Sequence, residues 1–283
     1  FLKRSFIMKT RFSRLIPFFA ALTAGVVLWG CSKPADTQAP AASDAAPASA
    51  ATAELPKKLV IGLDDNFPPL GFRDDKGELV GYDIDMAREA TKRMGIEAEF
   101  KPIDWSAKEA ELKGKRVDAL WNGLTITEER KKNVAFTKPY MVNHQIIIVT
   151  SSSPAQNKAA LAGKVVGVQD GSSAVDAVAK DKAFSQSLKE VKAFGDNVTA
   201  LMDLAVGRLD AVVVDEVVGR YYTSKKPGEY HILEENLGSE EYGVGLRMED
   251  TALLAKLNET LDAMEADGTA KTIHAKWFEA AGK

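Results

Sequence analysis

Apolar positions along the chain recur in two rhythms. Short β-branched runs, Lys58 to Leu63 and Val165 to Gln169 foremost, end in turn formers, Asp64-Asp65-Asn66-Phe67-Pro68-Pro69 in one case and Asp170-Gly171 in the other. They predict buried strands. Between such runs the spacing changes to three and four, so that Ile84, Ala87, Ala90 and Met94 share one face of a helix over Asp83 to Met94. The pattern is used twice. Val60-Ile61-Gly62-Leu63-Asp64-Asp65 aligns with Val165-Val166-Gly167-Val168-Gln169-Asp170, and Gly114-Lys115-Arg116-Val117-Asp118-Ala119-Leu120 is echoed by Gly207-Arg208-Leu209-Asp210-Ala211-Val212. The matching places of Asp118 and Asp210 after a glycine read as structural turns.

Strands alternating with helices predict an α/β protein of two lobes, each a mainly parallel sheet flanked by helices. An Ile- and Val-rich strand from His144 to Ser152 should carry the chain into the second lobe, with a return near Glu241 to Arg247. Helices over Asp250 to Ala266 and Gly268 to Ala280 then pack back on the first lobe. The expected division is 57–148 with 240–283 for lobe 1 and 149–239 for lobe 2, and the two crossings form a hinge. Strand ends at Asp64, Trp121-Asn122-Gly123, Asp170-Gly171 and Asp215 should face one cleft, where open α/β sheets bind their ligands.

A third pattern precedes these. From Met8, the basic residues Lys9, Arg11 and Arg14 lead into an apolar run from Leu15 to Leu28 and then Trp29-Gly30-Cys31, which reads as a secretory signal peptide over 1–30. Residues 1–7 lie before that Met and read as upstream sequence. The run is interrupted by Pro17 and is shorter than the roughly 18–20 residues of a spanning helix. Leu28-Trp29-Gly30-Cys31 resembles the bacterial lipobox, which implies lipidation of Cys31. Residues 32–54 hold ten Ala and three Pro with no aromatic, Leu, Ile or Val, so 31–56 is expected to be a disordered tether behind a lipidated cysteine.

Composition narrows the function. Of 37 Lys and Arg against 40 Asp and Glu, five basic residues and no acid lie in 1–30, leaving 32 against 40 and a net charge of −8 beyond. That balance argues against nucleic acid as a partner. One cysteine in the chain leaves no disulfide to form. His144, His231 and His274 are isolated, no phosphate-binding glycine loop or nucleophile elbow is present, and no cofactor, metal or catalytic residue is expected.

Four stretches carry a family resemblance: Gly81-Tyr82-Asp83-Ile84-Asp85; Asn122 to Arg130 running into Phe136-Thr137-Lys138-Pro139-Tyr140; Gly207 to Ala211 up to Asp215-Glu216; and Ala266-Asp267-Gly268-Thr269 before Lys276-Trp277-Phe278. Over about 57–280 the sequence resembles the periplasmic solute-binding proteins of ABC importers, in their polar amino-acid family. The resemblance implies a two-lobe trap for a free L-amino acid, acting as a monomer beside a membrane permease and held to a bacterial membrane by its lipid. It also implies the site. Arg130 and Thr125 match the grip on the ligand α-carboxylate, joined by Ser172 and Ser173 at a helix start, and Asp215 matches the partner of the α-ammonium. Asp64, Phe67, Trp105, Asn122, Gly123 and Leu124 match positions around the ligand side chain. Phe67 and Trp105 could sandwich a flat or cationic group with Asp64 receiving a charge at its far end, which favours arginine or lysine over glutamine or cystine.

Each residue has a plainer reading. Arg130 could pair with Glu128, Asp215 and the two serines could be helix caps, and both aromatics could be core. Trp121 is expected to pack, and Tyr140 stays open between the two. Some relatives on this scaffold are cyclohexadienyl or arogenate dehydratases, which is the competing function. A receptor's sensing domain is a third class, and neither a second membrane segment nor a kinase is expected.

Overall fold

The β-branched runs form strands because both of their faces are covered: all five residues of Ala211–Asp215 are buried, as are four of the five in Val165–Gln169. The computed structural model describes residues 55–279. The expected signal peptide, Cys31, nearly all of the tether and the last residues of the tail lie outside that range.

One five-stranded sheet has the order Glu97–Pro102, Lys58–Leu63, Ala119–Leu120, Gly245–Leu246, Ala135–Phe136. Its first three strands are parallel, and Gly245–Leu246 runs antiparallel to both of its neighbours. The other has the order Glu190–Phe194, Val165–Gln169, Ala211–Asp215, Met141–Thr150, Tyr230–Tyr242, again three parallel strands followed by antiparallel ones. Helices flank both sheets, so the α/β two-lobe architecture expected from the repeat is present. A small antiparallel sheet of Asn66–Phe67, Gly71–Arg73 and Leu79–Val80 follows the first strand.

The two long strands Met141–Thr150 and Tyr230–Tyr242 pair from Met141↔Tyr242 to Thr150↔Tyr230 and carry both crossings. The boundaries expected at 148/149 and 239/240 fall inside them. Gln145 to Ile148 already pair with Ala211–Asp215, so the outgoing chain joins the second sheet about where its apolar run begins, earlier than expected. On the expected helix over Asp83 to Met94, observed as Tyr82–Met94, Ile84, Ala87 and Ala90 are buried and Gly95 closes the end in the left-handed conformation. The tail helix Thr251–Ala266 packs on it. Beyond Thr269–His274 the coil widens to a π-turn over Ala275–Glu279, where Lys276 Nζ and Trp277 Nε1 both donate to Asp85 Oδ2, at 2.6 and 2.8 Å.

The repeat extends to hydrogen bonds. Asp118 donates its N–H to Val60 O at 2.7 Å and accepts Val60 N–H on Oδ2 at 3.0 Å. Asp210 does the same to Val165, at 2.9 Å each way. Each aspartate thus locks a parallel pairing at its start, away from the cleft. Replacing Asp118 or Asp210 by Ala should cost about 1–3 kcal/mol by leaving a strand N–H without its acceptor, or roughly 2–10 °C in midpoint. Thermal unfolding should show this loss while ligand affinity stays near wild type.

Candidate ligand-binding site

The loop after Ala119–Leu120 is held in place from beneath. Gly123 has φ +61°, and a Cβ there would lie 2.9 Å from Leu70 Cδ1 and 3.0 Å from Phe67 Cε1, so the loop comes closer to these side chains than another residue allows. Its N–H donates to Asp83 Oδ2 at 2.8 Å, and the Tyr140 hydroxyl donates to the same oxygen at 2.9 Å. Burial raises the Asp83 carboxyl to about 7, against the pull of those two hydrogen bonds. Asn122 Oδ1 accepts the N–H of Asp64 at 3.1 Å, which ties the ends of two neighbouring strands together. Leu124 is fully buried beside Trp105 in one apolar cluster.

Across from this loop, the turn after Val165–Gln169 leads into the helix Ser173–Lys180 with Ser172 as its N-cap. The Ser172 hydroxyl turns back to Gln169 O at 2.8 Å and makes no cap bond. Thr125 Oγ1 donates to Ser173 Oγ at 3.0 Å, and Gln145 Nε2 donates both to Ser173 Oγ at 3.2 Å and to Asp215 Oδ1 at 3.0 Å. Asn143 Nδ2 and the Tyr242 hydroxyl also donate to that Asp215 oxygen, at 2.8 and 2.6 Å. A polar run therefore crosses from one lobe to the other and ends on a buried carboxylate. Glu240 Oε1 accepts from the same two amides, at 2.7 Å from Asn143 and 2.9 Å from Gln145. Burial first, and the Glu240 charge second, push Asp215 well above the usual carboxylate range. A cleft of about 550 Å³ opens here, lined in part by Thr125, Gln145, Ser173 and Glu240.

Arg130 lies at the other end of this junction. Its Nη1 donates to Thr125 O at 2.9 Å and its Nη2 to Gly171 O at 3.1 Å, while Nε stands 3.4 Å from Glu109 Oε1. Glu128 instead pairs with Lys131. Two carbonyls use two of the five guanidinium donors. Asp64 closes the remaining side: its Oδ2 accepts from Gln169 Nε2 at 2.7 Å, its Oδ1 from Asn66 N at 2.9 Å, and burial raises it to about 6.

The fold therefore brings Asp64, Asn122, Gly123, Thr125, Arg130, Ser173 and Asp215 to one junction, with Ser172 at its edge. Asp215 makes no side-chain cap to the helix that follows it. Phe67 and Trp105 are 5 and 6% exposed and belong to separate apolar clusters; the cation nearest the Trp105 ring is Lys108 Nζ, 5.3 Å from its centroid. Trp121 is buried core, as expected. Asp83, Lys108, Gln145, Gln169, Glu240 and Tyr242 were not singled out from the sequence. The available signal was a polar residue inside or at the end of an apolar strand, as with Gln145 before Ile146 and Gln169 after Val168.

Residues 59–280 match the model of the bacterial extracellular solute-binding proteins, family 3, and the chain belongs to that family. It is 33% identical over 226 residues to the L-cystine-binding protein TcyJ of Escherichia coli (strain K12), covering 78% of this chain and 83% of that protein. With the histidine-binding periplasmic protein of Salmonella typhimurium it shares 34% over 241 residues, 82% of this chain and 92% of the other. Among solved structures, an ancestral arginine-binding protein bound to arginine superposes with a TM-score of 0.75 at 38% identity, over 80% of this chain and all of that one. A histidine-bound ABC uptake substrate-binding protein from Streptococcus pneumoniae gives 0.76 at 36%, over 79% and 93%.

Burial raises the Asp64 carboxyl in the folded protein to about 6, against an ordinary 3.8 and against the pull of the Asn66 N–H and Gln169. Folding therefore takes up a proton between those values, so this group costs stability as the pH rises through them and most above about 6. Thermal unfolding of the ligand-free protein at pH 5 and pH 7.5 should show Asp64→Asn removing part of the loss in midpoint at the higher pH.

Proposed function

We propose that this protein is the capture component of an ABC importer outside the cytoplasm, closing its lobes on a free L-amino acid with a polar or cationic side chain. Arginine or lysine is the preferred ligand in this reading, and glutamine or cystine the nearest competitor. One observation carries it: the hydrogen-bonded run from Thr125 through Ser173 and Gln145 to Asp215 crosses the lobe junction, with Arg130 at one end and an acidic pair at the other. A zwitterion has that same polarity. The Arg130 fork takes the α-carboxylate with Thr125 and the amides at the start of the Ser173 helix, and Asp215 takes the α-ammonium. Asp64, Phe67, Trp105, Asn122, Gly123 and Leu124 surround the side chain. The buried carboxyl of Asp64 supports a cationic end, as do the relatives named for lysine, arginine and ornithine and for arginine. The match to a protein named for L-cystine keeps cystine as the second reading.

A thermal-shift screen of the twenty amino acids with ornithine and cystine tests ligand class, since a ligand at a hundred times its Kd stabilises by about 2.7 kcal/mol. Arginine or lysine should give the largest shift; a cystine or glutamine maximum overturns the cationic preference, and leucine, glutamate or no shift overturns the pocket. Aromatic product from prephenate or arogenate would establish the dehydratase reading instead. Arg130→Ala should weaken binding by roughly thirty- to several-thousand-fold, the usual effect of removing one partner of a desolvated charge pair. Calorimetry near wild type would take Arg130 out of the site.

The lipobox-like Leu28 to Cys31 supports a lipid anchor on Cys31 and a place in the periplasm or at the cell surface. Palmitate fed to a bacterial host should label the wild type and spare Cys31→Ser, and equal labelling of both would refute the anchor.

A further inference from the structure

Lys108 is the one buried lysine or arginine among the described residues, at 1% exposure. A methionine or leucine would fill the same space without a desolvated charge, so packing alone gives no reason for an ammonium there. Its Nζ has two neighbours in its own lobe, Trp105 O at 3.2 Å and Glu109 Oε1 at 3.5 Å. The shortest contact is to the other lobe: Nζ donates to Gly171 O at 2.6 Å. Arg130 Nη2 donates to that same carbonyl at 3.1 Å. The two turns meet backbone to backbone, since a Cβ on Gly171, which has φ +67°, would lie 2.7 Å from Ser106 Cα. Burial and the neighbouring Arg130 bring the ammonium down to about 8, against the pull of Glu109 and Asp170, so it remains charged at neutral pH.

We infer that Lys108 is a latch for the closed lobes, a positioning residue that holds the Gly171 carbonyl, and with it the Ser172 and Ser173 turn, against lobe 1 without touching the ligand. The inference rests on the reading that the lobes close on a ligand. Arg130 has two tasks in that reading, because the fork that meets a carboxylate also meets Gly171. Lys108 has no second task. It keeps the turn docked while the guanidinium adjusts, and the ligand then leaves only after the turn has been released.

The test uses wild type, Lys108→Met and Lys108→Gln, with L-arginine, L-histidine and L-cystine as probes in stopped-flow kinetics, and scattering of the empty protein. For every probe that binds, Lys108→Met should speed dissociation by about ten- to a hundredfold, the range for a hydrogen bond to a charged group. Association should stay within about threefold, as is usual for variants of one interface. The empty protein should scatter as a more open particle, its unfolding midpoint should not fall, and Lys108→Gln, which keeps a donor, should lie between. Unchanged dissociation and scattering in Lys108→Met overturn the latch. So does a changed rank order among the probes, which would mean direct ligand contact, or a lowered midpoint with slowed association, which would mean a structural role. If no probe binds the wild type, scattering of the empty variants still decides the latch, while the amino-acid reading stands or falls on the twenty-amino-acid screen.

Discussion

Two carboxylates, Asp215 and Glu240, sit where the hinge strands run between the lobes, and among the described residues neither has a salt-bridge partner. They share the amide donors of Asn143 and Gln145 instead, and Asp215 also takes the Tyr242 hydroxyl. Burial of Asp215, and after it the charge of the partly buried Glu240 beside it, push the Asp215 carboxyl up. Much of the surrounding sequence follows from keeping that pair supplied. Asn143 and Gln145 stand before the apolar run Ile146 to Val149 because the acceptors need donors at alternate positions on one face, and Tyr242 stands opposite Met141 in the paired strand. A cation brought to Asp215 relieves the repulsion that three neutral donors can only moderate. In the proposed reading the ligand's ammonium is that cation, and binding is driven at the point where the chains cross.

The opposite end is built the other way. Lys108 and Arg130 converge on the Gly171 carbonyl, a neutral acceptor for two positive charges. An anion placed there gains from the Arg130 fork, while the acid pair repels it from the other end. Orientation of a zwitterion thus follows from the charge gradient across the junction before any side-chain contact is made. Because the positive residues come from lobe 1 and Asp215 from lobe 2, the gradient is complete only when the lobes are together.

How much of this was legible depended on whether a residue's role is local. The strands were readable because a parallel strand covered on both faces is rich in apolar, β-branched residues, and because Arg-x-Asp-Ala recurs shortly after a glycine where Asp118 and Asp210 lock the same pairing. Arg130 and Thr125 were readable through their short spacing within one motif. Gln169 and Asp64, 105 residues apart, were not readable as a pair, since either looks like an ordinary strand end until the lobes meet. Lys108 is the clearest failure: in sequence it belongs to a charged helix with Glu109, Glu111 and Lys113, and nothing local shows that it alone points inward. The aromatic pair was legible only as two ring-bearing positions: in the fold Trp105 lies in the apolar cluster under its own turn and Phe67 in another.

Separating these roles also separates selectivity from closure. The contacts that hold the lobes, Lys108 and Arg130 to Gly171 and Thr125 to Ser173, involve backbone carbonyls and hydroxyls that any amino acid leaves unchanged. Asp64 has a different position: its carboxylate is satisfied by Gln169 in the closed state, but burial and the nearby Asp196 and Asp65 charges still disfavour its ionised form. A ligand side chain that ends in a cation offsets this penalty, a neutral amide offsets less of it, and an apolar end leaves it in full. Ligand choice in the proposed site is then the difference between these cases at one buried carboxyl. The grip on the α-carboxylate and ammonium adds the same amount for each ligand.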